Sequence, residues 1–166
     1  METKHLDAHT VREAAELIRR GGLVAVPTET VYGLAGNGLS ADVVQRIYSI
    51  KNRPPDKPLS LMVSGEEAMQ DCWAEVPKAA KTLASRYWPG PLTLVMTASD
   101  IVPDLVTAGS GTVGLRCPDH PATREVLALC GVPLAAPSAN PSGRASPKTP
   151  QEVLQYFGGS IAAVLD

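Results

Sequence analysis

Short apolar runs alternate with capped helical patterns along almost the whole chain, and this alternation is what most restricts its fold. Residues 23–26, 59–63, 92–96, 112–117, 134–136 and 161–165 read as strands, each stopped by Pro, Gly or a polar turn. Between them lie helix starts. Thr10-Val11-Arg12-Glu13, Ser64-Gly65-Glu66-Glu67 and Thr149-Pro150-Gln151-Glu152 each have the spacing of a capping box. Val11, Ala14, Ala15 and Ile18 then repeat at helical spacing until Gly21-Gly22. Ser40 caps a second pattern with Val43, Val44, Ile47 and Ile50 inward. A third passes Ala80, Leu83 and Ala84 after Pro77, and a fourth runs from Asp119 to Cys130. The expected fold is a single α/β domain over residues 1–166, with an open, twisted, mostly parallel or mixed sheet flanked by helices. Residues 1–7 are polar and lead straight into the first helix.

Composition excludes some functions. No run of ~18 apolar residues exists, so no membrane span is expected, and the polar start carries no signal peptide; the expected compartment is the cytosol. Cys72, Cys117 and Cys130 are scattered, form no C-x-x-C pair, and read as small buried hydrophobes; no metal site is expected from them or from His5, His9 and His120. A formal charge of −2 gives no global attraction for nucleic acid, so RNA would need a local basic patch.

Three loops carry groups suited to a polyanion. Lys51, Arg53 and Lys57 place three cations within seven residues, in a segment stiffened by Pro54, Pro55 and Pro58. Cations on a stiff loop suit a triphosphate, although loop cations are commonly only solvated. Residues 27–34, PTETVYGL, offer two hydroxyls and a carboxylate beyond a strand end, or simply a Thr-rich turn. Residues 137–147 are rich in Ser, Asn, Gly and Pro, so backbone there can approach a phosphate closely. Gly36-Asn37-Gly38-Leu39-Ser40-Ala41 matches a G-x-G-x-x-A pattern, but it lies about ten residues past the nearest clear strand, which argues against a dinucleotide fold. A triad from Ser138, His120 and Asp119 lacks any nucleophile elbow.

PTETVYGL (27–34), KNRPPDKPLSLMV (51–63), WPGPLTLV (88–95), VGLRCPDHP (113–121) and PSANPSG (137–143), in this order, resemble the YrdC-like family, the L-threonylcarbamoyladenylate synthases. The resemblance implies formation of L-threonylcarbamoyl-AMP and pyrophosphate from L-threonine, bicarbonate and ATP. It implies that ATP arrives with Mg²⁺, and that a partner transferase then modifies tRNA. It implies that Lys51, Arg53, Ser138 and Asn140 form the catalytic K-x-R and S-x-N pairs. Arg53, Lys57, Thr112, Ser138 and Ser146 would bind ATP. Thr30, Met62, Arg116 and Ala136 would bind threonine, Met62 standing where many relatives have histidine. Relatives continue with a Gly-Gly turn, a Glu-Ser-Thr segment and an arginine that close the site, so a truncation after Asp166 is expected. The competing reading is a non-catalytic RNA- or tRNA-binding module using the same basic cleft; a nucleotide-binding dehydrogenase is more distant.

Overall fold

The computed structural model describes residues 1–166. Eight strands form one mixed sheet: β1 Lys4–Leu6, β2 Val24–Val26, β3 Gly33–Asn37, β4 Ser60–Met62, β5 Leu94–Thr97, β6 Thr112–Arg116, β7 Leu134–Ala135 and β8 Ala163–Leu165. Their spatial order is β1-β8-β2-β3-β7-β4-β6-β5. The pairs β1·β8, β2·β8 and β4·β6 are parallel; the other four are antiparallel. The main helices are α1 Val11–Arg19, α2 Ala41–Lys51, α4 Lys78–Tyr87, α6 Pro121–Cys130 and α7 Pro150–Phe157, with four-residue turns at α3 Met69–Cys72 and α5 Asp104–Thr107. No helix is long and apolar enough to cross a membrane.

The pleat divides the apolar residues between two cores. Val24 and Val26 of β2 face one side with Ile18 of α1 and Val126 of α6, while Ala25 faces the other with Val44 and Ile47 of α2. Strand β8 alternates likewise, Ala163 and Leu165 against α1 and Val164 with α2 and α7. Each core needs its own helices, so they lie on both faces. At the far end of the sheet this symmetry stops. Val113 and Leu115 of β6 are buried on the α2 side, but Ser60, Thr93, Val95, Thr97 and Thr112 are exposed. That open patch of sheet forms the floor of the site described below.

Two strands escape the sequence reading. Residues 1–7 are not merely a polar lead, because Lys4 and Leu6 pair with Ala163 and Leu165. Strand β3 is glycine-rich, which ordinarily disfavours a strand. A Cβ at Gly36 would lie 2.5 Å from Val43 Cγ1 and 2.8 Å from Leu23 Cδ2, so glycine lets α2 approach the sheet. Gly36 therefore serves close approach of apolar side chains, in a strand antiparallel to both of its neighbours and unlike the parallel strand of a dinucleotide fold.

The caps also differ in detail. Thr149 Oγ1 accepts from the Glu152 amide at 3.2 Å, as a capping box requires, but Glu152 accepts from the Lys148 amide instead of completing the box. Thr10 precedes α1 but exchanges its hydroxyl bonds with Asp7, whose competing amide removes it from the helix. Ser64 donates to the Glu67 carboxylate at 3.1 Å and caps no backbone, so only a 3₁₀ turn and α3 follow. The residue before α6 is His120 with Pro121 at the first helical position; Asp119 lies one residue further out and its carboxylate accepts from no helix amide, so it is not the cap.

Candidate active site

The site is assembled where three loops meet at the open end of the sheet. Helix α2 ends at Lys51, and Asn52 turns left-handed (φ 50°) to stop it. The proline-rich segment then folds on itself: the Lys57 amide donates to Pro54 O at 3.1 Å, and the Tyr48 hydroxyl lies 2.6 Å from Lys57 O. Arg53 is held to this loop by donating from Nη2 to Pro58 O at 2.8 Å, with its guanidinium 6.0 Å from the centre of the Tyr48 ring.

Residues 137–147 lie alongside. Leu34 N donates to Pro137 O at 2.7 Å and Ala139 N to Tyr32 O at 2.8 Å, which fastens this loop to the start of β3. Lys51 fastens its other side. The Lys51 side chain is 1% exposed, and Nζ donates to the carbonyls of Ser138 and of Asn140, the latter at 2.7 Å. Ser142 N returns a bond to Lys51 O at 2.8 Å. Burial, and secondarily Arg53, push the Lys51 pKa down to about 8. The stiff basic loop and the S-x-N turn thus share one locality, but Lys51 does not present its charge to an open cleft. It solders the two elements together. Asn140 is also buried; Nδ2 donates to the carbonyls of Pro141 and Arg144, and Oδ1 has no partner.

A cavity of about 300 Å³ opens between these loops and the bare sheet. Arg53, Ser60, Met62, Thr93, Arg116 and Ser138 line it, together with Ala136. Its floor is kept low by Gly114, where a Cβ would meet Thr93 Cγ2 at 2.8 Å and Ser60 Oγ at 2.9 Å. Arg116 ends β6. Its Nε donates to Gly90 O at 3.3 Å and its Nη2 to the Glu29 carboxylate, with the Thr30 hydroxyl 3.4 Å away. Burial lowers the Arg116 pKa, but guanidinium starts high enough to stay charged near neutrality. A hollow of about 400 Å³ lies across Arg53, against Tyr48, Ser49 and Leu105. Arg53 is its one charged lining group, so the converging chemistry belongs to the smaller cavity.

Of the residues singled out in the sequence, Arg53, Met62, Arg116, Ala136 and Ser138 meet in this cavity. Thr30 stands beside Arg116, and Lys51 and Asn140 form the rear wall of the serine turn. Lys57, Thr112 and Ser146 are exposed and lie outside the lining. Glu29, Ser60 and Thr93 were not assigned roles from sequence. Glu29 had a signal, a carboxylate in a loop after a strand, but only the tertiary fold reveals its cation.

A family profile named Sua5/YciO/YrdC, described as telomere recombination, matches residues 16–166. The threonylcarbamoyl-AMP synthase of Pyrococcus abyssi is 43% identical over 163 residues, which are 98% of this chain and 48% of that protein. The threonylcarbamoyl-AMP synthase of Pseudomonas putida is 40% identical over 155 residues, 93% of this chain and 83% of that protein. The crystal structure of P. abyssi Sua5 complexed with L-threonine superposes with a TM-score of 0.95 at 41% identity, covering 100% of this chain and 50% of that one. The chain therefore spans about half the length of the Pyrococcus relatives and most of the Pseudomonas one. From the profile match and the relative of comparable length, the chain belongs to the Sua5/YciO/YrdC family.

Proposed function

We propose that this chain forms L-threonylcarbamoyl-AMP and pyrophosphate from L-threonine, bicarbonate and ATP. The observation that carries the reading is the meeting of two guanidinium groups, Arg53 and Arg116, with the Ser138 turn in one cavity. The relatives named threonylcarbamoyl-AMP synthase and the Sua5 complex with L-threonine support it.

The steps balance as follows. The threonine amine, after losing a proton, bonds to the carbon of bicarbonate with loss of water and gives a carbamate. A carbamate oxygen then bonds to the α-phosphorus of ATP, and the bond from that phosphorus to the β-phosphate bridging oxygen breaks. Negative charge grows on the phosphoryl oxygens and on pyrophosphate. Arg53, close to the Ser138 turn, stabilises that charge without a covalent nucleophile. Removing one such donor typically lowers the rate about 10²–10³-fold. Arg116 takes the threonine carboxylate, which a guanidinium fork suits. Met62 and Ala136 border the same side of the cavity. Lys57, Thr112 and Ser146 would reach ATP from outside the present lining. No group of three or more His, Cys, Asp or Glu is positioned to hold a metal. Magnesium is read as part of the Mg-ATP substrate, because a triphosphate's charge needs screening. The product would pass to a transferase acting on tRNA, with the cytosol as the compartment of the reaction.

Pyrophosphate release tests this reading. It is expected only when threonine and bicarbonate are both present, and release indifferent to threonine rejects the assignment. The competing RNA-binding reading needs the cations of the basic cleft to face phosphates, and one of them, Lys51, is buried against carbonyls.

A further inference from the structure

Glu29 is the acidic partner of Arg116, next to the arginine end of the cavity, and nothing in the reaction described above uses it. Both of its oxygens are engaged: one accepts from Arg116 Nη2, and the other from the Asp119 amide at 2.5 Å. Its loop is fixed at either side. Thr123 of α6 donates its hydroxyl to Pro27 O, and Thr28 donates to Val31 O at 2.7 Å while accepting from Thr30 N at 3.1 Å. Neither charge of the pair is sealed off, since 16% of the Arg116 side chain and 23% of the Glu29 side chain stay accessible.

Each carboxylate oxygen has two lone pairs, so Glu29 keeps acceptor capacity after these two bonds. Arg116 likewise keeps donors, because the protein engages Nε and Nη2 and leaves Nη1 without a partner. No Asp or Glu is among the residues that line the cavity, and Glu29 adjoins it through its bond to the lining group Arg116. The result is a bipolar receptor: a fork that wants an anion, with an anion fixed beside it. A plain carboxylate is attracted by Arg116 and repelled at short range by Glu29. A molecule with a carboxylate and an ammonium on one carbon satisfies both.

We propose that Glu29 is a specificity-determining residue whose carboxylate receives the ammonium of an α-amino acid while Arg116 holds that amino acid's carboxylate. This rests on the reading of the cavity as a threonine site. It adds the requirement that the substrate enter as a zwitterion, which neither Arg116 nor the neutral lining groups impose.

Titration calorimetry on the 166-residue chain, with L-threonine and with 3-hydroxybutanoate (threonine without its amino group), separates the possibilities. The unmodified chain should prefer threonine. A charge-assisted hydrogen bond corresponds to a preference of roughly 10- to 100-fold. Glu29→Gln should bring that preference close to one while leaving 3-hydroxybutanoate binding unchanged or tighter, because the repelling charge is gone. Glu29→Asp should restore part of the preference, and Arg116→Gln should weaken both ligands. Equal loss of both ligands in Glu29→Gln would mean that Glu29 only props Arg116, and would overturn the proposal. A preference that survives in Glu29→Gln would overturn it as well. If Glu29→Gln does not fold, the unmodified chain still decides: threonine binding without preference over 3-hydroxybutanoate refutes the role of Glu29 alone. Failure of the unmodified chain to bind threonine at all refutes the threonine reading itself.

Discussion

A buried ammonium destabilises a fold unless something replaces its water, and at Lys51 two carbonyls of the Ser138–Asn140 turn do so without any carboxylate nearby. Its pKa is about 8 in the fold and ordinary, about 10.4, when unfolded. Below pH 8 both states carry the proton, and the folded state bears the full burial penalty. Between pH 8 and about 10.4 the unfolded chain binds more protons, so stability rises with pH, by about 3 kcal/mol in all. Urea midpoints of the native chain should therefore climb from pH 7.5 to 9.5 relative to Lys51→Met, whose profile lacks this contribution; parallel profiles would reject the assignment of that titration to Lys51. Sequence could place Lys51 near a serine-asparagine turn only through resemblance to relatives. It could not show which way the ammonium points, because a cation at a helix end reads the same whether it faces solvent or backbone. Arg116 too was assigned only through that resemblance, although it ends a strand, where α/β sheets bind ligands. Its anion, Glu29, lies 87 residues away, a separation that local pattern cannot bridge.

Among the elements, those with apolar periodicity were readable and those defined by their neighbours were not. Helices α1 and α2 declare themselves through Ile18, Val43, Val44 and Ile47, all buried. Strand β3 carries its meaning in what is missing. Leu23, Val43 and Ile47 occupy the space that a side chain at Gly36 would need. Gly36→Ala should therefore destabilise the fold by about 1–3 kcal/mol through overpacking, read as a lower urea midpoint with an unchanged slope. A neutral or stabilising result would mean that α2 shifts outward freely, contrary to a close-packed core. The capping signals located helix starts well but their bonds less well. Thr149 caps α7, while Thr10 and Ser64 bond elsewhere, because local competitors for a hydroxyl cannot be ranked from spacing alone.

Across the whole molecule, alternation of strand and helix was enough to give one α/β domain, but the order of strands was beyond it. That order has a consequence for how the protein is made. Strand β8 sits between β1 and β2, pairing Ala163 with both Lys4 and Val24. The Asp166 amide also bonds to Leu6 O at 2.8 Å, and the Ala162 amide to Leu23 O at 2.9 Å. Strand β1 thus waits for a partner from far along the chain. Until residues 163–165 emerge, β1 has no partner and β2 has only β3, so this flank of the sheet is completed only once β8 has been made. A chain stopped after residue 158 should exchange the amides of Lys4–Leu6 at the rate of an unfolded peptide while those of β4 and β6 stay protected, and protection at both flanks would contradict this order of assembly. A nascent chain is consequently left with an unpaired strand edge until β8 has been made, and it is there that a chaperone would find something to hold.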